Sequence, residues 1–181
     1  MANRLNGMPQ KQARVVELAD TYASGAYAVR LKGSTPFPST TFLPMFTPES
    51  AAQQWLEAFI SAQGGVAGTI HWREGDGLRL VAALNLPPPV IAATLIIPAG
   101  KGMAGLALER KEPVQTCNLQ TDQTGDVRPG ARAVQAQAAI ALPVADAAGE
   151  IRAVVGVAFA NERELPAEEI GRLVLAAATA P

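Results

Sequence analysis

Ala138-Ala-Ile-Ala-Leu-Pro-Val-Ala-Asp-Ala-Ala-Gly-Glu-Ile-Arg-Ala-Val-Val-Gly-Val-Ala-Phe-Ala160 reads as two strands joined by a tight turn. Asp146-Ala-Ala-Gly149 supplies the turn, and the flanking runs are rich in β-branched and small apolar residues. In the second run Ile151, Ala153, Val155, Val157 and Phe159 alternate and are expected to share one face. Gly156 falls on the opposite face, where it permits close approach of another group. A second hairpin precedes it: Val66 to Arg73, with Val66, Ile70 and Trp72 on one side, then Glu74-Gly-Asp-Gly77 as the turn and Leu78 to Leu84 as the return strand. Chains dominated by hairpins build antiparallel sheets.

Outward from these hairpins the periodicity changes. Thr47 can cap a helix, Pro48 suits its first position, and Ala52, Trp55, Leu56, Phe59 and Ile60 mark its apolar face before Gly64-Gly65 ends it. After Pro87-Pro88-Pro89 a short helical turn over Val90 to Ala93 and a short strand at Leu95 to Ile97 are expected. Gly100-Lys101-Gly102 then opens a helix from Met103 to about Arg110, and Val114 to Cys117 reads as a strand. Pro166, Glu168 and Glu169 begin a closing helix with Ile170, Leu173, Val174 and Ala177 inward. The first and last helices of this unit can cover one face of the sheet. The unpatterned segment Asn118 to Gln135 must then lie elsewhere, over the other face.

Residues 1–47 differ from the rest. Val15, Leu18, Ala19 and Tyr22 give Lys11 to Ala23 helical spacing, and Gly33 to Thr41 is a Pro/Ser/Thr-rich arm anchored by Phe37, Phe42, Leu43, Met45 and Phe46. That helix is too short to stand alone and must pack on its own domain or on a second copy of the chain.

Composition narrows the function. Of 181 residues 49% are hydrophobic and 17% charged, with a net charge of −1. A packed core is easily filled, and no basic stripe offers a nucleic-acid footprint. The first ten residues lack a signal-peptide core and no run is long enough to span a bilayer, so a reduced, cytoplasmic setting is expected, without a membrane partner. One cysteine, Cys117, excludes an internal disulfide and a Cys-rich zinc site.

Three stretches resemble the GAF domain family. Ile97-Pro-Ala-Gly-Lys-Gly-Met-Ala-Gly-Leu-Ala-Leu-Glu-Arg-Lys-Glu-Pro-Val114 is similar to the family's Gly-x-Gly helix start followed by an x-Pro-Val strand; Leu142 to Val157 is similar to its final hairpin; Glu168-Glu169 is similar to the start of its last helix. The resemblance covers about residues 48–181. It implies an α/β (α+β) fold with a five- or six-stranded antiparallel sheet, terminal helices on one face, and a ligand-type pocket under loops and short helices on the other. It also implies small-molecule sensing and pairing into homodimers through terminal helices. With no output domain in the chain, the signal would pass to a separate partner protein.

Departures from the family pattern restrict the ligand. Asn161-Glu-Arg-Glu-Leu-Pro-Ala-Glu-Glu169 lacks the Lys and Phe of cyclic-nucleotide-binding members and is shorter. Cys117 sits at a strand end, not in the pocket helix that carries a covalent bilin. A single cysteine cannot form the intramolecular disulfide used by the family's free methionine sulfoxide reductases. No resident cofactor is implied.

Candidate site residues follow from residue chemistry. Asp122, Asp126, Arg128 and Arg132, with Thr121, Gln135 and Gln137, could converge on a ligand carrying an amide, carboxylate or phosphate. A solvated loop would carry the same charges. His71 and Cys117 could ligate a metal or haem iron, but a histidine on a half-buried strand and an inert buried thiol are the simpler readings. Gly100-Lys-Gly-Met-Ala-Gly105 lacks the Gly-Lys-Ser/Thr of a Walker loop and suits tight turning better than phosphate binding. Trp55 and Trp72 read as core. The expected role is therefore a small-molecule sensor, not an enzyme. A ligand-free interaction scaffold is the alternative, and a small redox or hydrolytic enzyme is the weakest of the three.

Overall fold

In the computed structural model, which describes residues 46–121, 134 and 136–181, hairpin chemistry sets the architecture. Element order is α1 (Ser50–Ala62), β1 (Ala67–Glu74), β2 (Gly77–Leu84), α2 (Pro88–Thr94), β3 (Ile96–Pro98), α3 (Gly102–Arg110), β4 (Val114–Thr116), β5 (Ala138–Ala145), β6 (Ile151–Phe159) and α4 (Ala167–Ala177). The strands form one six-stranded sheet in the order β3-β2-β1-β6-β5-β4, with every neighbouring pair antiparallel. The fold is α+β, and its sheet has six strands. The N-terminal helix and arm expected over residues 1–47 lie outside the described residues, apart from Phe46 and Thr47.

One face of the sheet is packed with large side chains. Ile140, Leu142 and Val144 of β5 and Val155, Val157 and Phe159 of β6 meet Leu56, Phe59 and Ile60 of α1 and Leu173 and Ala177 of α4. Each buried aliphatic or aromatic side chain contributes roughly 1.5–3 kcal/mol of transfer free energy, so this layer supplies most of the hydrophobic stabilisation. Trp55 stacks on Phe59 with ring centroids 4.6 Å apart, and both tryptophans pack against this core as expected, although each is only half-buried. No helix among the described residues is long and apolar enough to cross a membrane.

Two bulges correct the simple alternation. Between β1 and β2 the register steps from Ile70↔Ala82 to His71↔Leu80, leaving Val81 as the extra residue, buried with Ala82 on the helical side. The Glu49 amide donates to the Val81 carbonyl oxygen at 2.8 Å. That bond holds the chain extended until Glu49, so α1 begins at Ser50 with Glu49 as its N-cap, and Thr47 is not the cap. In the final hairpin the register steps from Val144↔Ala153 to Ala145↔Ile151, skipping Arg152. Ile151 is thereby moved off the helical face and packs with Val154 under α3, contrary to the strict alternation expected over residues 151–159. Val66 likewise precedes the strand and joins the cluster on the far side of the sheet.

The second bulge frees Arg152 to reach the end of α4. Its guanidinium donates to the carbonyl oxygens of Ala178 (3.4 Å), Ala180 and Pro181 (2.9 Å), satisfying acceptors that a helix end leaves open. Arg152→Ala is expected to cost about 1–2 kcal/mol in urea unfolding. Arg79→Ala, which loses an exposed pair with Glu74 at 3.2 Å, should cost under about 0.5 kcal/mol. Equal effects would show that Arg152 does not secure α4.

Candidate functional site

The face of the sheet away from α1 and α4 is lined by small residues where the first face carries large ones. Ala139 and Ala141 of β5 alternate with Ile140 and Leu142, and Gly156 and Ala158 of β6 alternate with Val155 and Val157. These short side chains leave space above them. A cavity of about 410 Å³ occupies that space, with Thr69 and His71 of β1 completing its floor. That volume lies within the range of small-molecule pockets.

Two short helices form the walls. α2 contributes Val90, Ala93 and Thr94; the first turn of α3 contributes Gly102, Met103 and Ala104. Pro88 and Pro89 start α2, where a missing backbone N–H is harmless. Gly100 and Gly102 adopt φ of +71° and +63°, a left-handed conformation that glycine tolerates, and they turn the chain sharply into α3. Gly105 lies so close to β3 that a β-carbon there would enter the Pro98 carbonyl oxygen. A β-carbon at Gly156 would stand 2.6 Å from Thr69 Oγ1, so that glycine makes room for the Thr69 side chain.

Among the described lining residues His71 is the one fully buried polar side chain, and Thr69 and Thr94 are partly buried. The His71 side chain is 2% exposed, and Nε2 lies 3.1 Å from the Thr94 carbonyl oxygen. A carbonyl oxygen only accepts, so Nε2 carries the hydrogen. Nδ1 has no partner, and it is the only buried side-chain N or O without one among the described residues. Burial drives the pKa from 6.5 down to about 4, only partly opposed by the bond to Thr94, so the ring is neutral near pH 7. Thr94 Oγ1 donates back into α2, to the carbonyl oxygen of Val90 at 2.9 Å. No charged residue occurs among the described lining residues.

The residues expected at the site are distributed differently. His71 lines the cavity, but it is fully buried where a half-buried strand position was expected. Cys117 is exposed, not a buried thiol, and lies outside the lining. Gln137 is exposed; its backbone, not its side chain, pairs with Leu119 and Phe159. Thr121 is exposed as well. Asp122, Asp126, Arg128, Arg132 and Gln135 lie outside the described residues. Leu119 and Val134, near the two ends of that polar segment, both line the cavity. Groups of three or more His, Cys, Asp or Glu able to hold a metal ion do not occur among the described residues.

Comparison with known proteins places this arrangement. No curated protein matches the sequence. Among solved structures, the GAF domain of an Acinetobacter phosphoenolpyruvate-protein phosphotransferase superposes with a TM-score of 0.58 at 17% identity, over 71% of this chain and 76% of that one. A type II free methionine-R-sulfoxide reductase from Thermoplasma acidophilum gives 0.53 at 17% identity, over 69% and 86%. A Staphylococcus aureus NreA protein mutated in its nitrate binding site gives 0.53 at 17% identity, over 66% and 96%. Such identities establish a shared fold and nothing finer. The family profile described as GAF domain matches residues 47–180, the span that carries the whole sheet, its four described helices and the cavity, and the chain belongs to the GAF domain family.

Proposed function

We propose that this protein is a small-molecule-binding sensor module whose ligand occupies the cavity on the far side of the sheet from α1 and α4. The observation that supports it is a cavity of about 410 Å³ lined by the small residues Ala139, Ala141, Gly156 and Ala158, on the face of the sheet opposite the buried helical core. Protein interiors normally fill such space, because each unfilled region forfeits dispersion contacts. A binding role is favoured over a reductase role like that of the Thermoplasma relative, since Cys117 is exposed and outside the lining. An anion such as nitrate, bound by the Staphylococcus relative, would find no cation among the described lining residues. Output would pass through a second copy or a separate partner protein, and Leu175, 75% exposed on α4, is an apolar contact available for it.

A melting-temperature screen tests this reading, because a ligand that binds only the folded state raises stability by mass action. Neutral two- and three-ring compounds should raise the midpoint in proportion to the logarithm of their concentration. Cyclic nucleotides, nitrate and free methionine sulfoxide should leave it unchanged. Silence across the neutral compounds would favour the scaffold alternative.

A further inference from the structure

A neutral imidazole that donates through Nε2 has one function left, as an acceptor at Nδ1. His71 belongs to the cavity wall, is 2% exposed, and finds no protein donor for that atom. Leaving a buried acceptor bare is unfavourable, so a group that supplies a hydrogen there gains more than an ordinary surface hydrogen bond does. The other polar side chains of the lining compete weakly. The Thr94 hydroxyl gives its hydrogen to the Val90 carbonyl oxygen at 2.9 Å, which leaves its oxygen as an acceptor less basic than an imidazole nitrogen, and Thr69 offers a rotatable hydroxyl that can donate or accept. A charged ligand would lose its hydration without meeting an opposite charge among the described lining residues.

We propose that the cavity selects an uncharged, largely apolar molecule through a single hydrogen-bond donor, a hydroxyl or N–H, accepted by His71 Nδ1. This rests on the cavity being a ligand site. It adds which atom reads the ligand and which chemical class is read.

Three compounds on one ring system separate the possibilities: 2-naphthol carries the donor, 2-methoxynaphthalene lacks it, and 2-naphthoate carries a charge. Calorimetric titration of the full chain should show 2-naphthol binding about tenfold more tightly than 2-methoxynaphthalene, the equivalent of one buried hydrogen bond. 2-Naphthoate should bind most weakly. In His71→Phe the two neutral compounds should bind within about twofold of each other. Equal affinities of the neutral pair for the wild-type protein would overturn the role of His71 while leaving the cavity as a binding site. Failure of both to bind would overturn the site itself.

The wild-type chain gives a second readout that needs no variant. His71 is the only histidine in the sequence, so every imidazole signal in nitrogen–proton correlation spectra belongs to it. Nδ1 should read as an unprotonated ring nitrogen that shifts on addition of 2-naphthol and stays in place with 2-methoxynaphthalene. A proton resident on Nδ1, or identical shifts with both compounds, would contradict the assignment.

Discussion

Acidification from pH 7 to pH 4 is expected to remove up to about 3 kcal/mol more stability from the wild-type protein than from His71→Phe. The buried imidazole has its pKa lowered from 6.5 to about 4, chiefly by desolvation. Above pH 6.5 the ring is neutral in both folded and unfolded chains and contributes no pH dependence. Between 6.5 and about 4 the unfolded chain binds a proton that the folded chain refuses, so stability falls as pH falls through this window. None of the other described cavity-lining residues is titratable, so none of them offsets the charge. Glu150 is exposed, and its carboxyl is held below the usual range by the Lys111 hydrogen bond first and by Arg73 second. It titrates in both proteins and cancels in the difference. Urea midpoints measured from pH 7 to pH 4 decide the matter; parallel curves for the two proteins would show that the ring is solvated.

Replacing Gly105 by alanine should destabilise the protein by about 1–3 kcal/mol, against the usual preference of helices for alanine. Inside a helix, glycine costs roughly 1 kcal/mol relative to alanine, so propensity alone favours the substitution. Packing reverses the sign, because the new methyl would be driven into the Pro98 backbone oxygen, which cannot swing aside as a flexible side chain can. α3 would have to lift from β3, taking Gly102, Met103 and Ala104 of the cavity wall with it. Gly171→Ala in α4 is the matched control, since nothing lies within 4 Å of the position a β-carbon would take there. It should stabilise by up to about 1 kcal/mol. Denaturation of both variants gives opposite signs if α3 is held by this close approach, and the same sign if it is not.

Elements were far more legible in the sequence than the site. Asp146 to Gly149 and Glu74 to Gly77 announced their hairpins, and Gly64-Gly65 announced the end of α1, because turn chemistry is local. The bulges at Val81 and Arg152 were not legible, since they depend on which residues the partner strand presents. For the site, attention to polar side chains singled out Asp122, Arg128 and Arg132, which lie outside the described residues, and passed over the small side chains that line the cavity. Its signal was present in β5 and β6: one face reads Ile140, Leu142, Val155, Val157 and the other reads Ala139, Ala141, Gly156, Ala158. Four alanine and glycine positions gathered on one face of two adjacent long strands mark either a close-packed neighbour or a void, and sequence alone does not separate them. His71 shows the same limit, because its isolation became meaningful only once Thr94 was seen to take one nitrogen and nothing the other.

Ala139→Leu tests the cavity most directly. Ala139 faces the cavity from β5 and pairs across the sheet with Ala158, so a leucine there fills space that a ligand would occupy. Melting of the wild-type protein and of this variant should be followed across a 2-naphthol titration. The wild-type midpoint is predicted to climb with concentration, while the variant melts no lower without the compound and does not respond to it. Equal climbs in the two proteins, or none in either, would contradict the assignment of this space as a ligand site.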